Sequence, residues 1–209
     1  MKSLQSKIYE LNEGGFYKNA SGMVRPSTRG ELKVEIRTRL DRGQYNLNDI
    51  DTSKITDMSY LFTMFEAYNL SKIDISKWDV SNVVTMNCMF QYCENFRSDL
   101  SRWDVHKVED MYKMFDGCIS FNSDLSRWNV SKVNDISYMF KDCTNFNSDL
   151  SRWNVSRVRN MERMFQNCTN FNSDLSKWDV SNVNDMTNIF RGSGMKELPD
   201  WYKNHKYGY

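Results

Sequence analysis

The chain has 209 residues, with 28 Lys plus Arg against 27 Asp plus Glu, and 40% of it is hydrophobic. That length suits one domain or one short repeat array. The near-neutral charge excludes a polybasic nucleic-acid binder that works by bulk charge, and an acidic solvating tail.

At the N-terminus, MKSLQSKIYELNEGG holds no apolar core of signal-peptide length, and nowhere is there an apolar run long enough to cross a membrane. A soluble, cytoplasmic protein is expected, or a surface protein if an export signal has been removed. Lys2 to Leu11 reads as a short helix ended by Gly14-Gly15. Thr28 to Asp41 reads as a second helix. Thr28 with Glu31 makes a capping box, Leu32, Ile36 and Leu40 form an apolar stripe, and Gly43 follows at the C-terminal cap. Residues 1–48 therefore form an N-terminal cap segment with a helix over about 28–42; a partner-binding arm is the alternative.

From there the chain repeats. Trp78, Trp103, Trp128, Trp153 and Trp178 recur every 25 residues, as do Cys93, Cys118, Cys143 and Cys168. A fixed period of this size outranks any local signal and marks an array. About six copies fill residues 49–190. The first is degraded, with Ile50 at the Trp position, and its coil is stretched to 28 residues before Trp78. Residues 191–209 are read as a C-terminal cap and tail. Within a copy, Arg127 to Ser131 alternates out and in like a strand. Val133, Ile136, Met139, Phe140 and Cys143 then fall on one face of a short helix.

The expected fold is an α/β repeat solenoid, a leucine-rich-repeat-like right-handed coil with a parallel sheet face and short helices. The Trp, Met–Phe, Cys and Phe rows are stacked core ladders. The cysteines are reduced and packed, since their spacing suits neither disulfides nor a metal knuckle. The Asp99, Asp124, Asp149 and Asp174 row is assigned to turn capping rather than to calcium.

Three stretches carry a resemblance: DISKWDVSNV at 74–83, DMYKMFDGCISFNSDLSRWNVSKV at 110–133 and FNSDLSKWDVSNVNDM at 171–186. They resemble the repeat of the BspA-like leucine-rich-repeat proteins of bacteria, in the type common in mycoplasma-like lipoproteins. The resemblance covers about residues 48–190. It implies a leucine-rich-repeat-like solenoid with a role in binding, and members of that family are often surface proteins.

The outward face of the expected sheet carries three rows. Lys77, Arg102, Arg127, Arg152 and Lys177 form one, Asp79, Asp104, Asn129, Asn154 and Asp179 the next, and Ser81, His106, Ser131, Ser156 and Ser181 the third. Asn129 and Asn154 remove carboxylates while the arginines stay. RWNVSRVRNMER at 152–163 holds Arg152, Arg157, Arg159 and Arg163 against Glu162 alone, and Asn160 replaces the acid that precedes the helix in other copies. An unneutralised helix N-terminus beside arginines is an anion site. The candidate binding residues are therefore Arg127, Arg152, Arg157, Arg159, Arg163, Asn129 and Asn154.

No Walker loop, GxGxxG or HExxH occurs, and neither His106 nor His205 has a nucleophile placed beside it by the pattern. No catalytic residue, metal site, cofactor, small-molecule substrate or membrane contact is expected. The partner is expected to be another protein, or a protein–nucleic-acid complex. The leading function is a non-catalytic protein-interaction module. The alternatives are a small intracellular inhibitor of mobile-element or phage type that occludes a nucleic-acid-guided defence nuclease, and a bacterial surface adhesion protein. Direct nucleic-acid binding is disfavoured by the balanced charge and the interior aromatics.

Overall fold

The computed structural model describes residues 21–65 and 67–203. The expected helix over Lys2 to Leu11 with its Gly14-Gly15 stop, and His205, lie outside them.

Helix α1 spans Arg29–Asp41. The Thr28 hydroxyl oxygen accepts from the Glu31 N–H at 3.2 Å, and the Glu31 carboxylate accepts from the Ser27 N–H at 2.7 Å. The reciprocal half of the capping box thus closes one residue earlier than a Thr28–Glu31 box would. Gly43 adopts a φ of 69°, its N–H donates to Leu40 O, and the Gln44 N–H donates to Arg39 O. That is a Schellman ending, and it needs a residue free to enter the left-handed region. Leu32, Ile36 and Leu40 are buried against the first coil, closing that end of the core.

The α/β solenoid with a parallel sheet face is not what the repeats form. Among the described residues there is no sheet, and the α-helices are α1 and a four-residue α2, Asp200–Lys203, with one 3-10 turn at Leu70–Lys72. Successive coils meet at isolated parallel bridges, one residue per coil, through Thr85, Asp110, Asp135, Asn160 and Asp185. Among the described residues no leucine-rich-repeat sheet face and no α-helix within a repeat is present.

The reason lies in the backbone of the segment expected to be helical. Two residues per coil have positive φ: Cys88, Lys113, Tyr138, Arg163 and Asn188 in one row, and Tyr92, Gly117, Asp142, Asn167 and Gly192 in the other. A left-handed residue every few positions prevents an α-helix from propagating. What forms instead is a run of tight turns. Met114 N–H donates to Met111 O and Cys118 N–H to Phe115 O within the coil. The alternate N–H groups, Met111, Lys113, Phe115 and Gly117, donate to Asp135, Ser137, Met139 and Lys141 of the next coil. The backbone groups a helix would satisfy internally are satisfied between coils.

The Arg127–Ser131 segment does alternate, with Trp128 and Val130 buried and Arg127 and Asn129 exposed. Side chains take the place of a strand ladder. Trp128 Nε1 donates to Leu100 O at 3.0 Å, and the same bond recurs from Trp103, Trp153 and Trp178 one coil apart. Phe115, Phe140 and Phe165 stack in register at 5.7 and 5.9 Å, and Phe146 lies 4.0 Å from Phe140 within its own coil. Offset stacks of this kind let one large ring fill each thin layer. All five cysteines are free and buried.

The buried serines hold the remaining corner. Ser148 Oγ accepts from Leu125 N–H at 2.8 Å and contacts Asp124 at 3.4 Å, and Ser123 and Ser173 repeat the bond one coil earlier and later. Ser148→Ala would strand the Leu125 N–H away from water. It should lower the unfolding free energy by about 1–3 kcal/mol, measured by urea denaturation, whereas Ser151→Ala on the half-exposed side should cost well under that.

At the far end Trp201, on α2, stacks on Trp178 at 6.4 Å, and its Nε1 donates to Leu175 O at 2.8 Å. It thereby takes the next place in the Trp ladder, although it falls off the 25-residue register.

Candidate functional site

Three rows of Asx turns shape the surface. The side-chain oxygens of Asp149 and Asn154 accept from the backbone N–H two residues on, at Ser151 and Ser156, and Asn129 does the same for Ser131. Asn129 and Asn154 are therefore turn caps that an aspartate can fill equally well, as Asp104 and Asp179 do. The Ser151 N–H holds the Asp149 carboxyl below its ordinary range, with Ser173 and Arg152 adding to the effect. His106 occupies a serine position in this row, and its Nδ1 lies 2.8 Å from Asp104 Oδ1.

Asn160 caps a turn as well: its oxygen accepts from the Glu162 N–H at 3.0 Å. The expected helix N-terminus at this point does not exist. The N–H groups of Met161 and Arg163 are already bound to Asp185 and Thr187 carbonyls of the next coil. The anion site assigned to that helix end is corrected accordingly.

The five candidate arginines do not form one cluster. Arg127 lies beside Asp124, and its charge helps lower that carboxyl, after the Ser126 N–H. Arg152 lines a shallow groove with Lys177, opposite Asp149 and Asp174. Arg163 packs over the Tyr138 ring at 5.6 Å, with Nε 3.4 Å from Glu162. Arg157 and Arg159 come together. They line a groove with Lys132, Ser156, Asn134, Asn182 and Glu109. Three cations there face a single carboxylate, and neither arginine forms an ion pair among the described residues. Asn182 Nδ2 donates to Ser156 O at 2.7 Å, which ties the groove floor across two coils.

Lys132, Asn134 and Asn182 were absent from the candidate residues. Their positions follow from the repeat register, because 132, 157 and 182 differ by 25, as do 109, 134 and 159. Reading columns across copies, rather than the arginine-rich text of one copy, finds them.

Among the described residues no group of three or more His, Cys, Asp or Glu side chains is placed to hold a metal. No helix there is long and apolar enough to cross a membrane. Residues 36–131 and 99–201 each match a protein family described as "Mycoplasma protein of unknown function, DUF285". No curated protein and no solved structure matches.

Proposed function

The chain belongs to this Mycoplasma family of unknown function, and we propose that it is a non-catalytic protein-interaction module that docks an acidic patch of a partner protein. The observation that carries this reading is the groove of Lys132, Arg157 and Arg159, where three cations from adjacent coils converge around the single carboxylate of Glu109. In the groove lined by Arg152 and Lys177, by contrast, Asp149 and Asp174 match the two cations in number. A stack of coils locked by side-chain ladders offers such a patch rigidly, so little ordering entropy opposes binding. The three exposed cations steer association and set specificity for an acidic surface.

The test is affinity capture from nuclease-treated host lysate with the wild-type chain and with Arg157→Glu/Arg159→Glu. A partner enriched by the wild type at least ten-fold over the reversed variant is expected, with both proteins unfolding at the same urea midpoint. Capture of the same proteins by both variants would overturn the groove assignment. A partner lost on nuclease treatment alone would replace it with nucleic-acid binding.

A further inference from the structure

Among the described residues five large hydrophobic side chains stand exposed, and three of them occupy one corner of successive coils: Met64, Tyr92 and Ile119, at 46%, 61% and 41%. Phe62 stacks on Phe90 at 5.0 Å, which sets Met64 and Tyr92, each two residues on, at matching positions in their coils. The Glu94 N–H donates to Tyr92 O, and the Ser120 N–H, next to Ile119, donates to Glu94 O, both at 2.9 Å. The Glu94 backbone thus joins the two, and its side chain is exposed.

Tyr92 departs from its row. It has a φ of 61°, and the same position in later coils holds Gly117, Asp142, Asn167 and Gly192. Those residue types tolerate the left-handed region, whereas a bulky ring is strained there. The next coil makes room for that ring. Gly117 is buried, and a Cβ at residue 117 would stand 2.7 Å from Tyr92 Cδ1. The ring rests against Gly117 on one side and is open on the other. An aromatic side chain held outward at a conformational cost, with exposed apolar neighbours on both adjoining coils, marks an interaction surface.

The chain's own rings show which ligand chemistry fits. Lys72 lies over Tyr45 at 5.6 Å, Lys113 over both Tyr112 and Tyr138 at 5.0 Å, and Arg163 over Tyr138 at 5.6 Å. Among the described residues Tyr92 has no such cation, and Glu94 beside it forms no ion pair. Lys141, two coils on, is taken by Asp116 and Asp142. A ring face, a free carboxylate and two apolar side chains suit a long cationic side chain. Its charge meets the ring and Glu94, and its aliphatic stem covers the apolar neighbours. We propose that Met64, Tyr92, Glu94 and Ile119 form a docking site for an Arg or Lys side chain in a basic segment of a partner protein. A purely apolar partner would desolvate the Glu94 carboxylate without pairing it. A second copy meeting this corner face to face would set Glu94 against Glu94, over a few side chains where a stable interface takes about 800 Å² per partner. The site shares no residue with the Lys132–Arg157–Arg159 groove, takes the opposite charge and does not rest on it.

The experiment is a two-dimensional NMR titration of the full chain, at fixed ionic strength, with three capped tripeptides: acetyl-Ala-Arg-Ala-amide, acetyl-Ala-Leu-Ala-amide and acetyl-Ala-Glu-Ala-amide. The Arg peptide is expected to give saturable shifts at Tyr92, Glu94, Gly117 and Ile119, and the other two to leave those resonances in place. Tyr92→Asn removes the ring and keeps the fold, because Asn167 holds the same backbone position. It should weaken the Arg peptide about three-fold or more, and Glu94→Gln about two-fold or more. Arg157→Glu/Arg159→Glu should not weaken it. Unmoved resonances with the Arg peptide, equal shifts with the Leu peptide, or an unchanged affinity in Tyr92→Asn would each overturn the site.

Discussion

Replacing Trp128 by Ala is expected to lower the unfolding free energy by about 3–5 kcal/mol, the cost of a lost large side chain plus the cavity it leaves. Trp128 is 3% exposed. It stacks on Trp103 at 6.5 Å with planes 2° apart, and it leans on Phe115 at 6.4 Å. Its indole N–H also satisfies Leu100 O, so the deletion strands a buried carbonyl as well. Trp128→Phe keeps much of the area and loses only that donor, which predicts a loss of about 1–3 kcal/mol. Urea unfolding gives the totals. In a stack where each coil contacts its neighbours alone, the damage is local. Amide exchange should therefore accelerate in the coils around Trp103 to Trp153 and stay unchanged in α1. A loss below about 1 kcal/mol for the Ala variant, or an even acceleration along the chain, would sink the ladder as the source of stability.

The inward-facing residues were legible in the sequence, whereas the conformation that turns them inward was not. Val133, Ile136, Met139, Phe140 and Cys143 are all buried, as their spacing requires. Consecutive tight turns bring a side chain inward about every third residue, and an α-helix does so at nearly the same period. Hydrophobic spacing alone cannot separate the two. The discriminating signal was in the Tyr92, Gly117, Asp142, Asn167 and Gly192 row, where four of five residues are Gly, Asp or Asn, the types that tolerate the left-handed region. In the companion row of Cys88, Lys113, Tyr138, Arg163 and Asn188 only Asn188 is of such a type, so that row is not legible from residue type alone. The strand alternation at Arg127 to Ser131 was likewise right in its facing and wrong in its partners: Trp indoles and Asx caps occupy the place of a ladder. At the surface, the arginine-rich text of one copy drew together residues that the fold separates. Arg152 and Arg163 face groups on other sides of the coil, and Lys132 from the preceding copy joins Arg157 and Arg159 instead.

Stability should collapse on the alkaline side, and the cysteine ladder should be the main cause. Cys118, Cys143 and Cys168 are buried, and their thiols donate to Phe90 O, Phe115 O and Phe140 O at 2.9, 2.9 and 2.7 Å. Burial pushes all three well above the ordinary thiol value of 9.0. The folded chain therefore keeps these protons at a pH where the unfolded chain releases them. The unfolded state then binds fewer protons, so unfolding becomes easier as pH rises above about 9. Each thiol held protonated contributes about 1.4 kcal/mol per pH unit, and three contribute about 4. Lys141 is held above its ordinary value because Asp142 and Asp116 outweigh its desolvation, and it adds a smaller loss of the same sign. The comparison that isolates the thiols is wild type against Cys118→Ala/Cys143→Ala/Cys168→Ala, with urea unfolding measured from about pH 7 to about pH 10.5. The variant should be the less stable at neutral pH and have the flatter alkaline limb, by about 4 kcal/mol per unit. Parallel limbs would mean that the thiols ionise inside the fold, which their apolar surroundings and carbonyl partners forbid.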